Sequence, residues 1–410
     1  MQFMQNVKIS SMRIGMILDK TFPPDPRVEN EAVYLISKGF EVYLFCLTYD
    51  ENEVGVNDYK GIHVVRHLSN DFLYKSSALA YTFPYYKSKM SAKIKEFILL
   101  YQIHILHVHD IQVVSAAYKA CKAFKIPYVL DLHENRPEIM KVYPHLKKGV
   151  GKWIIDIERW RAAEEKYTKL AKRVIVVTQE AKEELMERTN LPSKKIEVLP
   201  NTVLKKFYTD YTLEESIHTK FQDDFVLLYI GDTAIRRGLL TAIKAIPVLK
   251  ETIKNIKLVI VGKSTEDVIL KAEVKRLGIE KHVSFEGWQD EKLFPSYIIS
   301  SDICISPLHR NKHHDTTYAN KLFQYLSFKK PLLVSNSIAQ KKLVKKQEVG
   351  LTHKAKNSKD FANQVLKFYK QPALIDKMGK AGAEFVHKEF HWAKTAKTLG
   401  KIYNKIKKTK

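Results

Sequence analysis

Two adjacent arginines, Arg236 and Arg237, stand where the chain could bind phosphate. They belong to the segment IGDTAIRRG, in which an apolar strand-like run ends at Gly231 and an amphipathic helix follows Gly238. A glycine at a strand end lets a ligand approach the backbone, and guanidinium groups offer forked donors that suit phosphate oxygens. Two cations at a helix start oppose the helix dipole, which favours a bound anion over two merely exposed arginines. The spacing does not match the GxGxxG dinucleotide fingerprint, which argues against a nicotinamide enzyme.

A second candidate lies in the segment HHDTTYANKLFQYLSFKKPLLVS, where polar residues precede an apolar helix and a buried strand. Asp315, Thr316 or Thr317 can cap this helix. The helix start near Asn320 and Lys321 would offer backbone N–H groups and an ammonium to a diphosphate. Gln324 lies one turn further on, where its side chain could reach a ribose. The segment therefore predicts a seat for a nucleoside diphosphate.

Three histidines beside this segment, His309, His313 and His314, raise the question of a metal site. A metal ion in a protein needs a complete ligand set and outer partners that orient the ligands. The sequence supplies no identifiable fourth ligand nearby, so we expect no metal and no cofactor other than the substrate itself.

A third group of polar residues follows two strand-like runs, in the segments VHDIQ and VLDLHENRPE. Ligand-binding groups in α/β domains gather at the carboxyl ends of the strands. His133 is the better candidate of this group, because Asp131 lies two residues before it and Glu134 directly follows it. His107 and Asp110 could equally be an ordinary strand end.

The elements that must position these residues alternate between strand-like and helix-like segments almost from end to end, the pattern of parallel sheets covered by helices. A polar stretch, 204–224, separates two sets. The predicted strands are 12–18, 41–47, 62–66, 103–108, 127–132, 173–178 and 195–199, and then 225–231, 256–262, 282–285, 303–306 and 331–335. We therefore predict two doubly wound α/β domains that face each other across a ligand-binding cleft. The stretch 381–410 is predicted as one long helix that packs back across the domain boundary.

Composition and charge narrow the class of protein. Lysine and arginine exceed aspartate and glutamate by 69 to 45, so the net charge is +24, which favours anionic partners. Lysines on solvated helix faces account for part of this excess, and no aromatic-basic motif supports a nucleic-acid partner. The three scattered cysteines and the lack of a signal peptide or a long apolar run predict a cytoplasmic protein.

The motifs, in their order and spacing, resemble glycosyltransferase family 4, whose members have the GT-B fold. The resemblance is carried by PDPRVENEAVYLISKGFEV, VLDLHENRPE, AKRVIVVTQEAKEEL, IEVLPNTVLKKF, LLYIGDTAIRRG, LVIVGKS, VSFEGW and YANKLFQYLSFKKPLLVS. It implies an acceptor-binding domain over 1–204, a nucleotide-sugar-binding domain over 205–385, and a terminal helix over 386–410 that returns to the first domain.

The resemblance also implies roles for particular residues. Arg237 matches the cation that neutralises the leaving diphosphate, and His133 matches the histidine that reaches the transferred sugar. Gly231, Arg236, Asn320 and Lys321 fall on the donor side, and Arg27, Asp110 and Glu134 fall on the acceptor side. Gln324 matches the second glutamate of the family's E-x7-E pattern, which usually holds the ribose. The first glutamate is replaced by Thr316, for which the adjacent Asp315 could stand in.

The function expected from this resemblance is metal-independent, retaining transfer of a sugar from a UDP- or GDP-linked donor to a cell-surface polysaccharide or glycolipid precursor. The alternative is a degenerate GT-B protein that acts as a binding or scaffold partner, which the missing glutamates favour. The helix predicted over 85–102 mixes apolar residues with lysines, so the protein could lie on the anionic inner face of a membrane. Ordinary packing of that helix on the sheet is the competing interpretation.

Overall fold

The computed structural model describes residues 11–141 and 155–408. The chain divides into two compact units, of which the first comprises Met1–Pro200 and Ala396–Lys410 and the second Asn201–Thr395. The predicted boundaries, after 204 and before 386, differ from these, and the return to the first unit comes about ten residues later than predicted. The reason is that the chain near 391 still pairs with the second unit, through a bridge between Val203 and His391.

The first unit is built on an eight-stranded sheet in the order β3-β4-β2-β1-β5-β6-β7-β8, parallel except for β3, which pairs antiparallel with β4. The strands are β1 (Arg13–Ile17), β2 (Glu41–Thr48), β3 (Gly55–Tyr59), β4 (Ile62–Leu68), β5 (Ile105–His109), β6 (Tyr128–Leu132), β7 (Arg173–Val176) and β8 (Ile196–Val198). All seven strands predicted for this unit are present. The polar edge strand β3 was not predicted, because its sequence GVNDY lacks an apolar run.

Helices cover this sheet as the alternating pattern predicts. The helices are α1 (Pro26–Ser37), α2 (Asp71–Ser76), α3 (Pro84–Leu100), α4 (Ile111–Phe124) and α5 (Arg136–Met140), followed by Ile157–Leu170, Gln179–Thr189 and, after the second unit, Lys397–Lys407. The start of α1 follows local rules, since the Asp25 side chain accepts a hydrogen bond from the Val28 backbone N–H and Pro26 occupies the first turn. Val28, Ala32 and Leu35 of α1 are fully buried.

The second unit is built on a six-stranded parallel sheet in the order β11-β10-β9-β12-β13-β14. Its strands are β9 (Phe225–Ile230), β10 (Ile256–Val261), β11 (Val283–Gly287), β12 (Ile303–Ser306), β13 (Leu332–Ser335) and β14 (Gly350–His353). Five were predicted, and β14 was missed because it is short and only partly buried.

The helices of the second unit are short for the most part. They are Lys205–Thr209, Glu215–Phe221, Leu239–Ile243, Ile246–Thr252, Asp267–Arg276, Phe294–Ile299, Lys312–Thr316, Lys321–Ser327, Ile338–Gln347, Ser358–Lys370, Pro372–Lys388 and Trp392–Thr395. No helix in the described part of the chain has both the length and the apolar character needed to cross a bilayer.

The prediction of one terminal helix over 381–410 is wrong. The stretch contains the end of the helix Pro372–Lys388, the short helix Trp392–Thr395 and the helix Lys397–Lys407. The first of these ends where Phe390 turns inward, its ring 4.4 Å from that of Phe323 in the second unit. Only the helix Lys397–Lys407 joins the first unit.

Candidate functional site

Polar side chains of the first unit meet where β5 and β6 end side by side. The His133 ring nitrogen Nε2 lies 2.9 Å from Oδ2 of Asp131, and the backbone N–H of His133 donates to Oδ1 of Asp110 at 3.1 Å. The other ring nitrogen, Nδ1, lies 3.7 Å from Oδ2 of Asp110. Asp110 has φ +66, a conformation that non-glycine residues seldom adopt and that recurs at functional sites. The structure thus brings together His133 and Asp110, while Glu134 lies partly exposed in the loop just beyond.

Arg27, which the resemblance placed on the acceptor side, lies beneath His133 with a side chain only 7% exposed. Its guanidinium donates to both oxygens of Asp131, at 2.9 and 2.7 Å, and to the Leu199 carbonyl at 3.1 Å. Such a bidentate pair fixes the position of a carboxylate as well as its charge. The structure therefore gives Arg27 the task of holding Asp131, which in turn contacts His133.

Four buried residues of this cluster were not predicted: Glu31, His107 as a site residue, His109 and Tyr403. His107 Nε2 lies 3.3 Å from Glu31 Oε2, and its Nδ1 lies 2.8 Å from the Tyr403 hydroxyl. His109 Nδ1 lies 3.1 Å from His133 Nε2. Glu31 could have been found from sequence, because it follows Arg27 by one helical turn. Tyr403 could not, because it reaches His107 from the helix Lys397–Lys407 near the other end of the chain.

The cluster changes the protonation of its members. Burial alone would lower the pKa of His133, but Asp110 and Asp131 outweigh it and raise that pKa to about 9. Burial would raise the pKa of Asp131, yet Arg27 and His133 hold it well below its usual value. Burial and the charge of Asp131 raise the pKa of Glu31 to about 7. At neutral pH His133 is therefore an imidazolium whose Nε2–H faces Asp131, and its Nδ1–H remains available to a ligand.

The same cluster contains atoms of the kind that bind metals. Ligand atoms of Glu31, His107, His109 and Asp131 all lie within 4.8 Å of one another. This donor set suits a divalent transition metal. The guanidinium of Arg27, however, already lies 3.0 Å from Glu31 and 2.7 Å from Asp131, so it balances the two carboxylates and a metal ion would compete with it.

In the second unit, the loop after β9 gathers positive charge. Gly231 has φ +125, a conformation that favours glycine. Arg236 donates to Oδ2 of Asp232 at 2.7 Å, and Arg237 donates to the same oxygen at 3.2 Å. Both arginines were predicted to bind phosphate, and in the structure they share one carboxylate. Because one anion faces two cations, a positive charge is left at this strand end.

Lys321 adds a buried basic side chain beside Gly231. Its side chain is 91% buried, and its Nζ lies 3.3 Å from the centroid of the Tyr229 ring. A side chain added at Gly231 would come within 3.6 Å of this ammonium. Burial and the nearby Arg237 hold the pKa of Lys321 well below its usual value. Within the described residues Lys321 forms no ion pair with a carboxylate, so a bound anion would complete its environment.

The predicted helix around Lys321 is present but short, and its surroundings differ from expectation. It spans only Lys321–Ser327, and Asn320 is exposed and makes no capping bond through its side chain. Thr316 hydroxyl donates to carbonyls of its own helix at 3.0 and 3.2 Å. Asp315 accepts two bonds from Arg310, at 3.2 and 2.9 Å, and one from the Ile338 N–H. Thr316 and Asp315 therefore have partners within the fold, and their part in donor binding stays a prediction.

A carboxylate does reach Gln324, from an unexpected place. The Gln324 side-chain amide donates to Oε1 of Glu291 at 3.2 Å. Glu291 begins a helical turn between β11 and the helix Phe294–Ile299, far from the E-x7-E positions in sequence. The pair combines an acceptor-rich carboxylate with an amide that both donates and accepts, which is the chemistry a ribose diol requires.

Two of the three histidines near this segment lie in the interior of the second unit. His313 and His314 are buried, and burial together with neighbouring cations lowers their pKa values to about 3 and about 4. His314 Nδ1 lies 2.7 Å from the His309 carbonyl oxygen. Among the residues that the structure describes, these histidines belong to no group of three metal-ligating side chains.

Comparison with known proteins identifies the class to which this fold and site belong. The family model described as Glycosyltransferase Family 4 matches residues 27–203, and the model described as Glycosyl transferases group 1 matches residues 210–385. The two matches adjoin and together cover most of the chain. The chain therefore belongs to the group 1 glycosyltransferases of the family 4 type, and it has the GT-B fold of these enzymes.

Individual relatives are distant. The chain is 22% identical over 183 residues to the putative glycosyltransferase EpsD of Bacillus subtilis, a match over 45% of this chain and 46% of that protein. Sucrose-phosphate synthase of Thermosynechococcus elongatus has a TM-score of 0.77 at 16% identity, over 97% of this chain and 100% of that one. Anabaena HepE in complex with UDP-glucose has a TM-score of 0.70 at 13% identity, over 96% and 100%. At this identity the structural likeness shows the fold alone.

Proposed function

We propose that this glycosyltransferase takes its sugar from a nucleoside-diphosphate donor, UDP- or GDP-linked, and that it retains the anomeric configuration. The observation that carries the proposal is the buried Lys321 side chain beside Gly231, which forms no ion pair with a carboxylate among the described residues. A buried amine at the carboxyl end of a parallel strand favours a phosphate ligand, because the anion stabilises the protonated form that burial disfavours. The complex of HepE with UDP-glucose supports a donor of this chemical class.

In this proposal the diphosphate lies between Lys321 and Arg237. Negative charge develops on the leaving diphosphate as the glycosidic bond to it breaks. Cations already fixed in place stabilise such charge without reorganisation, which is usually the largest catalytic contribution. Because Asp232 balances only part of the local positive charge, the two side chains supply the charge that a divalent metal supplies in other transferases. Transfer should therefore persist when divalent metals are chelated.

The ribose of the donor is proposed to bind Glu291 and Gln324. Gln324 lies three residues after Lys321 on the same helix, about 4.5 Å further along its axis, so a diphosphate at Lys321 brings the attached ribose within reach. The carboxylate of Glu291 accepts bonds from the ribose hydroxyls, and the Gln324 amide holds that carboxylate in place. A carboxylate from another segment thus replaces the family's glutamate.

On the first unit, His133 is proposed to contact the transferred sugar, with the acceptor near Asp110 and Glu134. Asp131 engages the Nε2 side of the ring, so Nδ1–H is the donor available to a sugar hydroxyl. An imidazolium fixed in this way orients the donor sugar without taking a proton from the acceptor at neutral pH.

The acceptor is proposed to be a polysaccharide or glycolipid precursor at an anionic membrane surface. Four aromatic side chains of the α2–α3 region are exposed, namely Phe72, Tyr74, Phe83 and Tyr85, with Phe72 and Tyr85 in edge contact. The interior-facing side of α3 is used for packing, since Met90, Ile94 and Phe97 are buried. Exposed aromatic rings beside lysines are typical of surfaces that enter the lipid interface. Two results would remove the electrostatic part of this proposal. One is sedimentation with anionic vesicles that does not depend on salt, and the other is no sedimentation with them at all.

The donor site is tested by thermal unfolding with a panel of nucleoside diphosphates and nucleotide sugars. A ligand at about 100 times its dissociation constant should add roughly 2.7 kcal/mol to the stability of the wild type. Arg237→Ala and Lys321→Met should lose this stabilisation, and Arg276→Ala, an exposed arginine of the same unit, should keep it. Absence of stabilisation by any nucleotide would refute the donor site and favour the non-catalytic scaffold.

Turnover is tested separately. With the donor so identified, NMR of the product should show the anomeric configuration of the donor. The rate of transfer, followed by the same NMR signals, should be the same with and without a chelator of divalent metals. Binding without transfer or hydrolysis would favour a scaffold that kept the donor site, and an inverted product would contradict retention.

A further inference from the structure

A concave surface of the first unit lies at the end of the sheet opposite to His133, where β6, β7 and β8 begin. It is a cavity of about 830 Å³, within the size range of ligand pockets. Its walls come from the last turns of α4 and of the helix Ile157–Leu170 and from the starts of the three strands. The five residues of β6 separate it from His133, roughly 16 Å at 3.3 Å per residue. The cavity is therefore distinct from the proposed sugar-transfer site.

The lining of this cavity is charged with one sign. Six of its residues are cations and none is acidic, the cations being Lys122, Lys125, Lys172, Arg173, Lys194 and Lys195. In the part of the chain that the structure describes, none of the six forms an ion pair with a carboxylate. By contrast, arginines elsewhere in this unit, such as Arg188, contact as many as three carboxylates. The cavity thus concentrates positive charge that the fold itself leaves unbalanced.

The clustering of positive charge is unfavourable for Arg173 and Lys195. The Nε of Arg173 is buried without a hydrogen-bond partner, although its Nη1 donates to the Lys172 carbonyl at 3.0 Å. Burial and the nearby Arg173 lower the pKa of Lys195. Two cations that disfavour each other, one with an unused donor, are stabilised when an anion binds between them.

Helix ends explain only part of this charge. Lys122 lies in the last turn of α4, where a cation offsets the helix dipole. Lys194 and Lys195 close the single helical turn Ser193–Lys195 just before β8, whereas Arg173 begins β7 and lies at no helix end. The remaining wall is apolar and includes Tyr128 and Leu170. An apolar wall beside clustered cations fits an organic ligand that carries a phosphate better than it fits a bare inorganic ion.

We propose that this cavity is a second anion site, which binds the phosphate group of an organic ligand. Two sources share this chemistry, a phospholipid headgroup and a soluble phosphate ester. The proposal does not depend on the donor site, because all of its residues belong to the first unit and none was assigned to sugar transfer.

The test uses the full chain with Lys122→Glu and Lys172→Glu combined, since both residues are exposed and their reversal should not impair folding. The matched control is Lys345→Glu with Lys346→Glu, two exposed lysines of the second unit, which changes net charge equally. Both pairs are placed in an Arg237→Ala background so that the donor site contributes little. Inorganic pyrophosphate is then titrated calorimetrically at low salt. The cavity variant should raise the dissociation constant at least about tenfold relative to the control, as expected for loss of one charged hydrogen bond.

Vesicle sedimentation distinguishes the two sources of phosphate. If the ligand is a headgroup, the cavity variant should bind phosphatidylcholine vesicles that contain phosphatidylglycerol less than the control does, and neither should bind phosphatidylcholine alone. If the ligand is soluble, pyrophosphate binding should weaken while vesicle binding matches the control. Equal binding of pyrophosphate and of anionic vesicles by the cavity and control variants would overturn the proposal. So would equal loss in both variants, because net charge alone would then account for it.

Discussion

Replacing Asp131 by asparagine should lower the pKa of His133, because this carboxylate is one of two that hold the ring protonated. Asparagine has nearly the same shape, so the change removes charge with little change in packing. The groups that face His133 are Asp110 and Asp131, which raise its pKa to about 9, and Arg27 and His109, which do not. With one carboxylate gone, we expect the His133 pKa to fall toward its ordinary 6.5.

The magnitude follows from the difference between 6.5 and about 9. At 1.36 kcal/mol for each pKa unit, the protonated ring contributes roughly 3 kcal/mol to the free energy of unfolding. Since the folded pKa is the higher one, this contribution is complete below about pH 6.5 and is lost as the pH rises through about 9. Asp131→Asn should remove about half of this pH-dependent contribution, because Asp110 remains.

The assay is an NMR titration of the histidine ring signals, with chemical denaturation at pH 6 and pH 10. Asp110→Asn is the parallel variant, and asparagine tolerates the positive φ at that position. Asp376→Asn, an exposed acid paired with Lys380, is the matched control and should leave His133 unchanged. A His133 pKa that stays near 9 in both site variants, or that is ordinary in the wild type, would refute the electrostatic argument.

Three further predictions concern the second unit and the packing of the first. Glu291→Gln should weaken binding of the preferred nucleoside diphosphate by about 1–2 kcal/mol, as measured calorimetrically, and should reduce the preference of the protein for this ligand over its 2′-deoxy analogue. Adding Gln324→Glu to this variant should restore both the affinity and the preference. Failure of the second change to rescue binding would count against the ribose assignment. Arg188→Met should destabilise the chain by about 3–5 kcal/mol in denaturation, because it leaves the buried Glu164 without its cation; a loss under about 1 kcal/mol would mean that the pair contributes as an exposed pair does. Gly238→Ala should impair folding or stability more than any surface change, since a Cβ there would lie 1.8 Å from the Pro307 carbonyl oxygen at φ +81; wild-type thermal stability would contradict that packing.

Much of the fold was predictable because it depends on short-range signals. Apolar runs of strand length gave the order of twelve of the strands, and the Asp25–Pro26 start of α1 follows from the capping preferences of those residues. The edge strands β3 and β14 were missed because they bury little and so carry little apolar pattern. The break near Phe390 was missed because it depends on which aromatic rings surround that residue.

Some features of the candidate site were likewise accessible from the sequence, and others were not. The sequence by itself determined the class of enzyme, through the order of its motifs. The resemblance also singled out His133, Arg237 and Lys321, whose roles in transfer stay predictions. The pairing of the two arginines with Asp232 was within reach of the sequence, since all three residues lie within six positions.

Only the tertiary structure decided what surrounds those residues. It placed Tyr403 against His107 across 296 positions of sequence, and it placed Glu291 against Gln324 across 33. It also paired Arg27, which was predicted to lie on the acceptor side, with Asp131. Secondary-structure signals depend on neighbours within a few residues, whereas burial, protonation and charge balance depend on whichever side chains the packed sheets bring together, and no local pattern encodes those partners.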